Sequence, residues 1–158
     1  MPGLCAYSDS SFAGEQDARS RAGYIIFYYG TPFCWYSKVI PGVSNSTGEA
    51  EYKILAITAR ELRYYRRLLE TAELPVKETI TIYCDSTAAI AIAQADKLSK
   101  RARTFEVSYH TIKEEVREKR INVEYVDTRH MLADVLTKPL RADLQREFLT
   151  QVMWGFKE

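Results

Sequence analysis

Four acidic residues, Asp9, Glu51, Asp85 and Asp134, occupy positions from which side chains could assemble a cation site. Asp9 and Asp85 each close an apolar, β-type run, residues 4–9 and 79–85. If those runs are parallel neighbours in a sheet, the two carboxylates emerge at one edge, a strand spacing or two apart. Like charges that close require a metal ion or a shared proton. Taken singly, each acid has a plainer reading, Asp85 as the N-cap of a following helix and Asp9 as a turn residue.

Periodicity separates two acids near the start of a long helix. Glu51 falls on the stripe of Leu55, Leu62 and Leu69, which must pack on a sheet, and Glu49 lies roughly 200° away around the helix. Glu51 points inward, where a carboxylate is unusual without a partner. Glu49 takes the ordinary role of complementing the helix dipole. Asp134, among Leu132, Ala133, Val135 and Leu136, opens a helix in an apolar setting and by itself would also read as a dipole-favoured acid. Together the four are an oxygen-only donor set suited to Mg²⁺ or Mn²⁺. The chain has two histidines, no CxxC, no HExxH, no P-loop and no GxGxxG.

The elements that would position these acids follow from pattern and punctuation. Residues 4–9, 22–29 and 33–37 are apolar or aromatic runs, the latter two split by Gly30, Thr31 and Pro32, which reads as a hairpin. Leu55, Thr58, Leu62, Tyr65 and Leu69 predict a helix over about residues 48–72, closed by Pro75. A strand over 79–85 and a short Ala-rich helix opened by Ser86 follow, a βαβ signature. Phe105, Tyr109, Ile112 and Val116 keep helical spacing, residues 121–126 alternate like a strand, and two helices separated by Pro139 end the chain, the last from about Arg141 to Met153. The order β-β-β-α-β-α-α-β-α-α predicts an α/β fold, a mixed sheet with helices on both faces, in one domain over residues 1–158 with its C-terminal helix within 141–158.

At 158 residues, with 46% apolar and 27% charged side chains, the chain fits one globular core. No apolar stretch approaches the roughly 18 residues of a membrane span and no signal-peptide pattern opens the chain, so the expectation is a soluble, cytoplasmic protein without membrane contact. Cys5, Cys34 and Cys84 lie in strand-like runs and read as buried, reduced thiols. A net charge of +1 and a pI near 7.7 exclude nucleic-acid binding by bulk charge, leaving patches. One such patch is Lys97, Lys100, Arg101 and Arg103, read either as phosphate contacts or as a solvated loop. Arg63, Arg66 and Arg67 beside Tyr64 and Tyr65 read as a charged outer face plus core tyrosine, or as a second patch.

The segments YSDSSFAG (7–14), STGEAEY (46–52), IYCDSTAAI (82–90) and LADVLTKPL (132–140) resemble, in order and spacing, the ribonuclease H domain of reverse transcriptases from copia-type LTR retrotransposons. Gly48 and Ile54 depart from that pattern, where Thr and Ala are usual, and Gly48 is expected to weaken the helix start.

The resemblance implies a ribonuclease H fold with sheet order 3-2-1-4-5 and a catalytic, metal-binding set falling on Asp9, Glu51, Asp85 and Asp134. It implies hydrolysis of the RNA strand of RNA/DNA hybrids with two Mg²⁺ ions, Mn²⁺ substituting, one activating water and one stabilising the departing 3′ oxygen. Ser10, Ser86 and the basic patch would contact nucleic acid, His130 would relay protons before the last aspartate, and the polymerase domain of the same polyprotein would be a partner, within virus-like particles. The strand at residue 4, with no polymerase motif before it, reads as an excised piece. The competing reading is a ribonuclease H fold kept as an inactive structural or nucleic-acid-binding module; such domains have lost acids that this chain retains.

Overall fold

The computed structural model describes residues 3–11, 20–40, 47–95 and 111–154. Strands β1 (Leu4–Ser11), β2 (Arg21–Tyr28) and β3 (Thr31–Val39) precede helix α1 (Thr47–Thr71). Strand β4 (Ile80–Cys84), helices α2 (Thr87–Gln94) and α3 (Thr111–Arg117) and strand β5 (Ile121–Tyr125) follow. A 3₁₀ turn (Thr128–His130), α4 (Asp134–Thr137) and α5 (Ala142–Trp154) complete the described order. The five strands form one mixed sheet in the order β3-β2-β1-β4-β5. Antiparallel pairs join β1 to β2 and β2 to β3, and parallel pairs join β1 to β4 and β4 to β5.

The β2–β3 hairpin turns on Tyr29 (φ 47°) and Gly30 (φ 79°), the two successive positive φ values that match the twist of the flanking strands. Pro32 lies inside β3 instead of ahead of it, next to a register shift between Ile26 and Phe27. Its missing N–H is tolerated because β3 is an edge strand.

Side-chain alternation along β1 divides the interior. Leu4 and Ala6 face a core with Ile26, Ile82, Val123 and the inner residues of α1, including Leu55 and Leu62. Cys5 and Tyr7 face a second core with Phe27, Met131, Leu132 and Phe148. The sheet therefore carries helices on both faces.

Leu55, Thr58, Leu62 and Leu69 are buried as the period predicts, but the first half of α1 is buried nearly all round, Ala50, Tyr52, Lys53, Ile54 and Ala56 included. It packs against β1, α2 and α3 together. Gly48 lies in the first turn of α1, where an added Cβ would sit 3.6 Å from Ala88 Cβ of α2, an ordinary contact. Pro139 stops α4 after four residues, since the residue before a proline avoids the α region and Lys138 is extended (φ −131°, ψ 146°). Phe105, Tyr109 and the patch Lys97, Lys100, Arg101 and Arg103 lie outside the described residues. Among the described residues no helix is long and apolar enough to cross a membrane.

Candidate active site

Strand register brings the first two acids together. Asp9 lies within β1, which runs two residues further than the sequence predicts. The parallel ladder pairs Tyr7 with Tyr83, so two residues on in each strand place Asp9 level with Asp85. One carboxylate oxygen from each of Asp9, Asp85 and Asp134 lies within 4.8 Å of the other two. An oxygen of Glu51, one of Asp85 and Cys84 Sγ likewise lie within 4.8 Å of one another.

Alternation on β1 explains how the acids reach this edge from both faces. Asp9 shares the face of Cys5 and Tyr7, toward α4, and Ser10 shares the face of Leu4 and Ala6, toward α1. Ser10 accordingly donates to Glu51 Oε1 from its amide (3.0 Å) and its hydroxyl (2.9 Å). Glu51 Oε2 is buried with no hydrogen-bond partner among the described residues. Burial, then the nearby Asp9 charge, push the Glu51 carboxyl up to about 8, against the opposing Ser10 hydrogen bonds. Burial also lifts Asp134 to about 6, despite its bond to Lys138. The Cys84 thiol is driven far above its ordinary range by burial and by Glu51, so it stays neutral beside the acids and is no competitor as a ligand.

Each acid is held by neighbours that the sequence does not place. Thr137 Oγ1 donates to Asp9 Oδ2. Lys138 Nζ lies 2.9 Å from Asp134 Oδ1 and 3.4 Å from Asp9. Thr128, on the 3₁₀ turn, donates to Asp85 Oδ2 at 2.9 Å. The carbonyls at the end of α4 accept from strand hydroxyls, Leu136 O from Ser37 (2.6 Å) and Thr137 O from Ser11 (2.8 Å). Gly23 lets α4 come this near, since a Cβ there would stand 2.9 Å from Leu136 Cβ and from Thr137 Cγ2. Asp9, Ser10, Ser11, Thr47, Glu51, Asp85, Ser86 and Lys138 line one open cleft. A buried carboxylate oxygen without a partner, beside three crowded acids, fits a hard divalent cation better than it fits a closed hydrogen-bond network.

No family model matches the chain. It is 33% identical over 150 residues to the retrovirus-related Pol polyprotein from transposon RE1 of Arabidopsis thaliana, covering 94% of this chain and 10% of that protein. It is 36% identical over 138 residues to the Pol polyprotein from transposon TNT 1-94 of Nicotiana tabacum, covering 87% and 10%. The chain thus spans about a tenth of the length of these relatives. Among solved structures it resembles the N-terminal RNase H domain of Rv2228c from Mycobacterium tuberculosis, with TM-score 0.63, 13% identity and coverage of 96% and 99%. It also resembles LC11-RNase H1 in complex with an RNA/DNA hybrid, with TM-score 0.58, 16% identity and coverage of 85% and 93%. The chain has a ribonuclease H-like fold and is homologous to one stretch of copia-type retrotransposon Pol polyproteins.

In this ribonuclease H-like chain several sequence expectations change. Asp85 does not cap α2; Ser86 does, its hydroxyl accepting from the Ala89 amide at 3.3 Å, which leaves Asp85 to the acid cluster. Ser10 is buried at the cleft and donates its hydroxyl to Glu51, a support for an acid that the sequence does not predict. Ser86 remains at the cleft. Glu49 is buried like Glu51, because α1 is enclosed at that level, and it pairs with Lys53 at 2.9 Å. His130 is exposed on the 3₁₀ turn and does not line the cleft. Cys34 is only half-buried on the edge strand, where its sulfur accepts from the Tyr65 hydroxyl at 3.2 Å.

Arg63 and Arg66 are engaged in ion pairs with Glu115 (3.6 Å) and Glu70 (2.9 Å). They border Ile80 and Ile121, at the starting ends of β4 and β5, the opposite end of the sheet from Asp85. That placement suits a charged outer face. The acids were legible from their types and spacing. Their supports, Ser10, Thr128, Thr137, Lys138 and Gly23, carry no signal in local periodicity.

Proposed function

We propose that this chain hydrolyses the RNA strand of RNA/DNA hybrids, as the ribonuclease H of a retrotransposon reverse transcriptase. The observation that carries this reading is the convergence of Asp9, Asp85 and Asp134 within 4.8 Å, with Glu51 beside Asp85 presenting a partnerless buried oxygen. Asp9, Glu51 and Asp85 would hold one divalent cation, and Asp9 with Asp134 a second, Mg²⁺ first and Mn²⁺ in its place. Bound there, such ions would supply an activated water and offset the charge developing on the departing 3′ oxygen.

The chain's own residues prepare that chemistry. Ser10 fixes Glu51 so that one oxygen is spent on hydrogen bonds and the other is free to ligate. Thr128 holds Asp85 and Thr137 holds Asp9, so the carboxylates are oriented before substrate arrives. Recognition of a hybrid would rest on its minor-groove shape and 2′-hydroxyls near Ser86 and Thr47 at the cleft. The basic patch Lys97, Lys100, Arg101 and Arg103 would contact phosphates, and the polymerase part of the same polyprotein would supply the grip that a net charge of +1 withholds. Virus-like particles in the cytoplasm are the setting this reading implies.

A labelled RNA/DNA hybrid, set beside single-stranded RNA and duplex RNA, tests the proposal. Cleavage of the hybrid alone, dependent on Mg²⁺ or Mn²⁺ and lost in Asp9→Asn, is the expected result. Hybrid binding without cleavage in either metal would favour an inactive nucleic-acid-binding module.

A further inference from the structure

We infer that Lys138 is a tethered cation that occupies the Asp9–Asp134 pair until a divalent ion displaces it, which makes the two cation positions unequal. The inference rests on the two-cation reading above. Pro139 sets it up, because the restriction on the preceding residue ends α4 and leaves Lys138 extended. From there the side chain returns one turn to Asp134, with Nζ 2.9 Å from Oδ1 and 3.4 Å from both oxygens of Asp9. The Lys138 side chain is only 32% exposed, so this is a seated ammonium and not a passing surface contact.

Among the described residues, the side of the cluster formed by Glu51 and Asp85 has no such ammonium in direct contact. Glu51 takes its hydrogen bonds from Ser10, and Asp85 takes one from Thr128, both neutral donors. Glu51 Oε2 has no partner among the described residues. A cation arriving between Asp9, Glu51 and Asp85 meets one acid that shares Lys138 at 3.4 Å and two whose hydrogen bonds come from neutral donors, whereas one arriving between Asp9 and Asp134 must first expel the ammonium from its 2.9 Å seat on Asp134. The first position therefore fills at lower metal concentration than the second. The lysine also screens the Asp9–Asp134 repulsion in the metal-free protein.

Calorimetric titration of the metal-free protein with Mn²⁺ tests this directly, using wild type, Lys138→Gln, Lys138→Arg and Asp9→Asn. In Lys138→Gln the weaker Mn²⁺ site should tighten about tenfold, short of the full repulsion between two close charges because the ammonium can swing to solvent. Lys138→Arg keeps the charge and should stay within about threefold of wild type. The metal-free melting temperature of Lys138→Gln should fall below that of wild type and the Mn²⁺-saturated values should converge. For a variant that does not fold without metal, the Lys138 side-chain amine resonance of the wild type gives a second readout, and it should shift as Mg²⁺ fills the weaker site. Wild-type affinities in Lys138→Gln, or a Lys138 resonance indifferent to Mg²⁺ in a protein that binds it, would overturn the lysine's role while leaving the metal site intact. Absence of Mn²⁺ binding in wild type and Lys138→Gln alike would instead overturn the two-cation reading itself.

Discussion

Ser10 grips Glu51 twice, with its amide at 3.0 Å and its hydroxyl at 2.9 Å, from the strand position next to Asp9. One residue of β1 thus offers its carboxylate from one face while its neighbour aims a helix-borne acid from the other. Ser10→Ala removes the hydroxyl and keeps the amide. Mg²⁺-dependent hybrid cleavage should drop about 10-fold or more, the usual effect of losing a group that orients a ligand. An unchanged circular dichroism spectrum would separate this from unfolding.

Glu49 and Glu51 should fail differently. Glu51→Gln should abolish cleavage with an unchanged or raised metal-free melting temperature, because the neutral amide imitates the protonated acid that burial favours. Glu49→Gln breaks a buried pair with Lys53 and should cost on the order of 1–3 kcal/mol of stability. Its cleavage per folded molecule should remain near wild type. Parallel melting curves and single-turnover rates check both; equal losses of cleavage would contradict the division of roles.

The metal-free protein should lose stability as pH rises from about 4.5 to about 8, the span between the ordinary and the raised Glu51 values. Below that window Glu51 is protonated in both folded and unfolded chains and contributes no difference. Within it the unfolded chain ionises first, which favours unfolding, on the order of a few kcal/mol by the upper end. Asp134, raised to about 6, adds in the same direction at the lower end. Thermal melts in chelator should show this slope, Glu51→Gln should flatten most of it, and millimolar Mg²⁺ should raise the melting temperature most at the alkaline end, where it no longer competes with protons.

Two glycines should respond with opposite signs. Gly23→Ala drives a Cβ to 2.9 Å from Leu136 Cβ and Thr137 Cγ2, which displaces α4 and the acid it carries. A loss of about 1–3 kcal/mol and a fall in cleavage are expected. Gly48→Ala meets only Ala88 Cβ at ordinary contact distance and removes a flexible residue from the start of α1, so it should stabilise by up to about 1 kcal/mol with cleavage intact. Denaturant midpoints at constant slope would measure both.

The four acids and the elements bearing them were legible in the chain itself. Residues 4–9 and 79–85 announce strands ending near an acid, and the Leu55–Leu62–Leu69 stripe separates Glu51 from Glu49. These are local facts, encoded in the periods of 2.0 and about 3.6 residues with which strand and helix expose their faces. Burial nearly all round the first half of α1 was not legible, because a period reports one face and cannot register helices α2 and α3 packing against the helix as well.

The contacts that turn four acids into a cluster belong to tertiary structure. Ser10 meets Glu51 across 41 residues, Thr128 meets Asp85 across 43, and Lys138 meets Asp9 across 129. Which of these pairs touch depends on the sheet order, on the register that levels Asp9 with Asp85, and on the close approach of α4 at Gly23. In sequence, Lys138 is one basic residue before a proline. Only the folding of α4 onto β1 and β2 seats its ammonium between two acids, because a charge acts over a few ångströms of space and is indifferent to distance along the chain.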